Sequence, residues 1–149
     1  MTKDVPDGYQ PFPELGGFVR VCGPYYYKPP DGAASPSVFR YGFRAGPAHL
    51  NPNGVVHGGA LMTFADTVMG AAVYYLAKRP CATISMNSEF LAGAPPDSWI
   101  EAAVTVTRQT NSLTFARCEL DADGTILLTS SGIWKLFQPK IPGHEKPSY

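Results

Sequence analysis

The stretch Ala48 to Lys78, AHLNPNGVVHGGALMTFADTVMGAAVYYLAK, decides the fold. From Gly58 onward, Leu61, Phe64, Ala65, Val68, Ala72, Tyr75 and Leu76 recur at three- and four-residue spacing, the period of an α-helix. The other side carries Met62, Thr63, Met69, Gly70 and Val73 rather than charges. A helix that is apolar nearly all round is buried on most of its sides. No proline interrupts the chain between Asn53 and Arg79, and Lys78-Arg79-Pro80 ends the pattern.

Downstream lies a second proline-free window, from Asp97 to Gln138. In WIEAAVTVTRQT, Ile100, Ala102, Val104 and Val106 share one face, while Glu101, Thr105, Thr107 and Gln109 share the other. This two-residue period is that of a half-buried strand. LTFARCEL and TILLTSSGIWKLF continue it, separated by Asp121-Ala122-Asp123-Gly124, whose Asp-Gly pair suits the positive dihedrals of a tight hairpin. TISMNSEFLAG (Thr83 to Gly93) reads as a further strand, giving four strands in a meander after the helix. Upstream, Gly17 to Tyr27 and Ser37 to Ala45 are strand candidates. The reading is α+β: an antiparallel sheet curled around one helix. One helix cannot cover both faces of a sheet, and the leftover apolar surface predicts a homodimer.

The chain has 149 residues, with 44% hydrophobic and 16% charged residues, enough for one domain with a real core. Prolines crowd the first quarter, so residues 1–16 read as an extended arm, 17–138 as the single domain and 139–149 as a loose tail. Twelve basic residues balance twelve acidic ones, which gives no general attraction to nucleic acid or an anionic membrane. Three scattered cysteines (Cys22, Cys81, Cys118) suggest neither a disulfide framework nor a zinc site and fit a reducing compartment. The N-terminal MTKDVPDGYQPFPEL has no basic start followed by an apolar run, so a soluble cytoplasmic protein is expected. No G-x-S-x-G elbow or phosphate-binding glycine loop is present, and no metal or cofactor is expected.

Between Arg44 and Lys78 the one formally charged side chain is Asp66, about two turns into the helix. Aspartate is a poor helix-interior residue, and an ionised carboxylate is costly to bury unpaired. His57-Gly58-Gly59 stands at the helix N-terminus, where backbone N–H groups lack intrahelical partners and can hold an oxygen that becomes negative. Each residue has an ordinary structural reading when taken alone. Asn51, beside Pro52 and Gly54, suits a turn; His57 suits a hydrogen-bonded support; Gly-Gly suits a flexible entry to a helix. Asp66 itself could accept hydrogen bonds from a neighbouring loop.

The spacing Asn51, five residues, His57-Gly58-Gly59, six residues, Asp66 resembles the hotdog-fold acyl-CoA thioesterases of the phenylacetate-degradation (PaaI-like) type. The strand TISMNSEFLAGA and the three long strands after it fit the same resemblance, which covers about residues 37 to 137. The resemblance implies one long central helix wrapped by five or six antiparallel strands. It implies homodimers, often paired into tetramers, with the active site between two protomers. By position, Asp66 would be general base or nucleophile, and Gly58 would offer its N–H to the thioester carbonyl. Asn51 and His57 would shape or polarise the site, and Thr83 would hold the attacking water. Thioester hydrolysis needs an activated water and a stabilised oxyanion but no metal or redox cofactor. Lys78, Arg79, Arg108 and Lys135 are the basic candidates for the anionic end of coenzyme A. Two other readings stay open: a non-catalytic acyl-CoA-binding protein of the same fold, and a hotdog hydratase or dehydratase.

Overall fold

A computed structural model describes residues 5–13, 16–30 and 38–139. Its long helix, α2, spans Gly58–Ala77, as the apolar periodicity predicts, and ends at Lys78 in a left-handed conformation. Leu61, Phe64, Ala65, Val68, Met69, Ala72 and Val73 of α2 are buried. Phe64 lies between the rings of Tyr25 and Phe43, with centroids 4.9 and 4.7 Å away. Each large apolar side chain buried this way contributes about 1.5–3 kcal/mol. By length and composition α2 could cross a bilayer, but here it packs against the sheet as the core helix.

Among the described residues, seven antiparallel strands make one sheet: β1 (Gln10–Pro11), β2 (Tyr25–Lys28), β3 (Phe39–Arg44), β4 (Cys81–Phe90), β5 (Trp99–Gln109), β6 (Leu113–Ala122) and β7 (Thr125–Leu136). Their order is β1-β2-β3-β5-β6-β7-β4. The count exceeds the expected five or six because Gln10–Pro11, part of the expected N-terminal arm, pairs with Tyr26 and Tyr27. The helix-facing side carries Phe39, Tyr41 and Phe43 of β3, Ile100, Ala102 and Val104 of β5, Ala116, Cys118 and Leu120 of β6, and Leu128, Trp134 and Leu136 of β7, all buried. The β6–β7 hairpin turns at Asp123 and Gly124, both with positive φ (50° and 81°), as the Asp-Gly pair predicts.

Two sequence expectations are corrected. Gly17–Cys22 is a short helix, α1, and not the start of a strand; the strand is confined to Tyr25–Lys28, which runs one residue past that candidate. Val19 and Cys22 pack on the core while Phe18 and Val21 are exposed, a three-residue period hidden by the alternating look of FVRVC. The strand after α2 is also not part of a four-strand meander. β5, β6 and β7 form the meander, and β4 lies at the far edge beside β7. The loop at residues 91–98 carries the chain back across the sheet. Two backbone bonds pin it to the end of β3, from Asp97 N–H to the Ala45 carbonyl (3.0 Å) and from Ala45 N–H to the Ser98 carbonyl (3.0 Å). Pro95 and Pro96 keep that loop from pairing as a hairpin. Of the expected tail, residues 140–149 lie outside the described residues, as do residues 1–4, 14 and 15 of the arm and residue 37 of the second upstream strand candidate.

Candidate active site

The segment before α2 is fastened by its own polar side chains. His49 ends a short 3-10 turn, Pro47–His49. Its Nδ1 accepts from Gly46 N–H (2.9 Å), and its Nε2 bonds the Cys22 carbonyl at the end of α1 (2.8 Å). Asn51 Oδ1 accepts from the N–H groups of Asn53 (2.9 Å) and Val55 (3.4 Å), closing the loop that leads to His57. His57 caps the helix: its Nδ1 accepts from Gly59 N–H at 2.7 Å. Within one chain, Asn51 and His57 therefore do the ordinary structural work open to them.

The two glycines answer to close contacts. A Cβ at Gly59 would lie 2.9 Å from the His57 ring, and one at Gly58 would lie 3.0 Å from the Phe90 ring. Among the described residues the Gly58 N–H has no hydrogen-bond partner, because the helix has not yet begun to supply carbonyls there. It points outward at the positive end of a 20-residue helix.

Asp66 is exposed, and Thr83 of β4 donates its hydroxyl hydrogen to Asp66 Oδ1 at 2.6 Å. The structure thus brings Asp66 and Thr83 together. It does not bring either to Gly58, Asn51 or His57. Asp66 stands eight positions beyond Gly58, about 12 Å along the axis at 1.5 Å per residue. One carbonyl group cannot touch both within a single chain.

These contacts outline a furrow between α2 and the edge strand. Gly58 meets Phe90 at one end, Asp66 meets Thr83 farther along, and the Cys81 thiol bonds the Gly70 carbonyl (3.6 Å) beyond that. Gly58, Asp66 and Gly70 fall on one helical ridge of four-residue steps, and Met62 occupies the remaining step. On β4 the register slips between Thr83 and Ser85. Beyond that bulge Met86, Ser88 and Phe90 turn to the helix side, opposite Gly132, Ser130 and Leu128 of β7. The Ser88–Ser130 hydroxyl contact (2.9 Å) marks that face, and the Thr129 bond to Glu89 (2.9 Å) marks the other. Burial and the neighbouring Asp66 charge push the Cys81 thiol above its ordinary value.

Sequence reasoning missed Phe90 and Met86 as furrow residues. Simple alternation from Thr83 would put Ser85, Asn87 and Glu89 there, and nothing in the sequence marks the bulge. Of the four basic candidates for a coenzyme A handle, Arg79 is committed to the fold. Its guanidinium donates to the carbonyls of Phe137 (2.9 Å) and Asn111 (2.7 Å). The Lys78 ammonium lies over the Tyr75 ring, 3.9 Å from its centroid, while Arg108 and Lys135 are exposed. Among the described residues no three His, Cys, Asp or Glu side chains cluster so as to hold a metal ion.

Known proteins share this fold. The family model "Thioesterase superfamily" matches residues 53–129. A Pseudomonas aeruginosa protein named Putative esterase PA0474 is 26% identical over 135 residues, covering 89% of this chain and 98% of its own. Among solved structures, zebrafish thioesterase superfamily member 2 superposes with a TM-score of 0.73 at 23% identity, covering 83% of this chain and 89% of that one. A point mutant of the phenylacetic acid degradation protein PaaI from Thermus thermophilus gives 0.69 at 18% identity, covering 80% and 98%. A hypothetical thioesterase from Streptococcus pneumoniae, solved with coenzyme A, gives 0.67 at 16% identity, covering 75% and 87%. With the family match spanning more than half of its length, and one long helix wrapped by an antiparallel sheet, the chain belongs to the thioesterase superfamily and carries the hotdog fold.

Proposed function

We propose that this protein is an acyl-CoA thioesterase, hydrolysing a thioester to a free acid and coenzyme A, and that it works as a homodimer or a dimer of dimers. The observation that carries the reading is the position of Asp66. A lone carboxylate in an otherwise uncharged stretch is exposed beside the edge strand and oriented by Thr83, while an unpartnered amide waits two turns away. The solved relative that binds coenzyme A supports the choice of thioester.

The dimer follows from the separation. β4 is an open edge ten residues long. Two copies pairing antiparallel along it would run their furrows in opposite directions. The Asp66 end of one would then face the partner's Gly58. In that setting the thioester oxygen accepts from the Gly58 N–H, which stabilises the negative charge formed on attack. Thr83 gives its hydrogen to Oδ1, which leaves Oδ2 to take a proton from water, and the Thr83 oxygen can accept a hydrogen from the same water. The water oxygen bonds to the acyl carbon, the C–S bond breaks, and the thiolate leaves and is protonated. Direct attack by Asp66, giving an acyl-carboxylate that water then opens, uses the same geometry. Asn51 and His57 shape the loop that presents the amide. A cytoplasmic setting suits the three free cysteines.

The test is release of free thiol from a panel of acyl-CoAs by the wild type and by Asp66→Asn. The expected result is hydrolysis by the wild type and a loss of about 10²–10⁴-fold in the variant, the usual worth of a general base. Tight acyl-CoA binding by the wild type without thiol release would make it a binding protein. Hydration of an enoyl-CoA would make it a hydratase.

A further inference from the structure

The Phe90 ring stands at the start of α2. It is 55% exposed, yet it lies so close to the helix N-terminus that a Cβ at position 58 would come within 3.0–3.6 Å of three of its carbons. The ring thus stands beside the backbone that carries the Gly58 N–H. From there toward Asp66 the furrow offers the thioethers of Met62 and Met86, both partly buried against the core, while the Ser88 hydroxyl between Met86 and Phe90 is engaged by Ser130 (2.9 Å). A ring and two thioethers supply almost no hydrogen bonding. The pantetheine arm of coenzyme A carries amides that lose free energy when buried without partners, whereas a hydrocarbon gains. Among the described residues the one charged group on this side of the furrow is Asp66 itself.

Resting on the reading of the site given above, we propose that Phe90, with Met62 and Met86, forms the wall that receives the acyl group, and that the protein selects uncharged apolar acyl chains long enough to reach it. Phe90 is a specificity-determining residue here. The unbranched, adaptable methionines fit chains of varied shape, and the ring sets the contact nearest the thioester.

The test compares kcat/KM for acetyl-CoA, hexanoyl-CoA and succinyl-CoA in the wild type, Phe90→Ala and Phe90→Leu. The wild type should prefer hexanoyl over both others. Phe90→Ala should lower the hexanoyl-to-acetyl ratio about tenfold, the worth of one or two methylene contacts. Phe90→Leu, which keeps an apolar side chain, should hold the ratio within about threefold of wild type. Equal losses on all three substrates would overturn the proposal, placing the ring against the common coenzyme A portion or in support of the amide. An unchanged ratio, or a wild-type preference for succinyl-CoA, would overturn it as well. If the wild type releases no thiol from any substrate, the thioesterase reading itself falls, and the acyl wall falls with it.

Discussion

The sheet has two edges, and they differ in kind. At one end β1 is two residues long and includes Pro11, so it offers almost no free ladder. Behind it Trp99 lies across Gly42, with Tyr9 and Tyr26 packed around the indole at centroid distances of 5.0 and 5.6 Å. At the other end β4 is ten residues long, has no proline, and exposes Ile84 (57%) and Phe90 (55%), with Leu91 (59%) just after it. Short strands and prolines are how sheets avoid joining neighbours, and a long apolar edge does the opposite. One edge is finished by its own chain and the other is open. The proposed chemistry lies entirely beside the unfinished one.

The sharpest way to break this contrast is through Asp66. Asp66→Asn should cut thiol release by about 10²–10⁴-fold while the oligomer, read by sedimentation, stays intact. Equal turnover would remove the chemical meaning of the open edge. Ile84→Lys should come next, since a lysine on an edge strand opposes pairing. Self-association should weaken at least about tenfold, or 1.4 kcal/mol. Gln10→Lys, at the finished edge, should leave the sedimentation coefficient alone.

Smaller effects separate the two sides by stability. A Cβ at Gly132 would meet the Ser85 carbonyl of β4 at 2.8 Å, a backbone atom that cannot swing away. Gly132→Ala should therefore cost about 1–3 kcal/mol and lower the melting temperature by several degrees. Gly42→Ala would drive its Cβ into the Trp99 indole, a rigid ring packed by Tyr9 and Tyr26, and should cost at least as much.

The smallest effect concerns the interior between the edges. Burial pushes the Cys118 thiol up from 9.0 to about 12, with the neighbouring Glu119 adding to it, and raises the Tyr25 and Tyr41 hydroxyls above their ordinary range. In each case the folded state favours the neutral acid. Its contribution is complete below the unfolded pKa and is lost as pH climbs toward the folded one. For Cys118 that window opens near pH 9, with about 1 kcal/mol lost by pH 9.5. Urea melts at pH 7.5 and 9.5 should show the fall, and Cys118→Ala should flatten it.

The parts of the fold that were legible are those where one period runs uninterrupted. α2 declares itself through apolar residues on nearly every side, and β5 to β7 through strict alternation and an Asp-Gly turn. What hid is where periods are short or slip. α1 is six residues long, too few for a helical pattern to outweigh an apparent alternation. The place of β4 depends on a crossing loop, and its inward face depends on a bulge that swaps the parity of every residue after Thr83. At the site, Asp66 stood out as a charge without company. Its meeting with Thr83 needed the tertiary packing, and Phe90 was hidden by the same slip in register. The proposed site, divided between two chains, leaves only half its geometry in either.

The cap at the start of α2 has a chemical consequence. Because Gly59 donates to His57 Nδ1, that nitrogen must keep its lone pair, and the neutral ring carries its hydrogen on Nε2. In this tautomer the imidazole presents a donor outward. It can steady an oxygen that gains negative charge, but it has no free basic nitrogen for a water molecule. In the proposed reaction, proton uptake is thereby left to the Asp66 carboxylate.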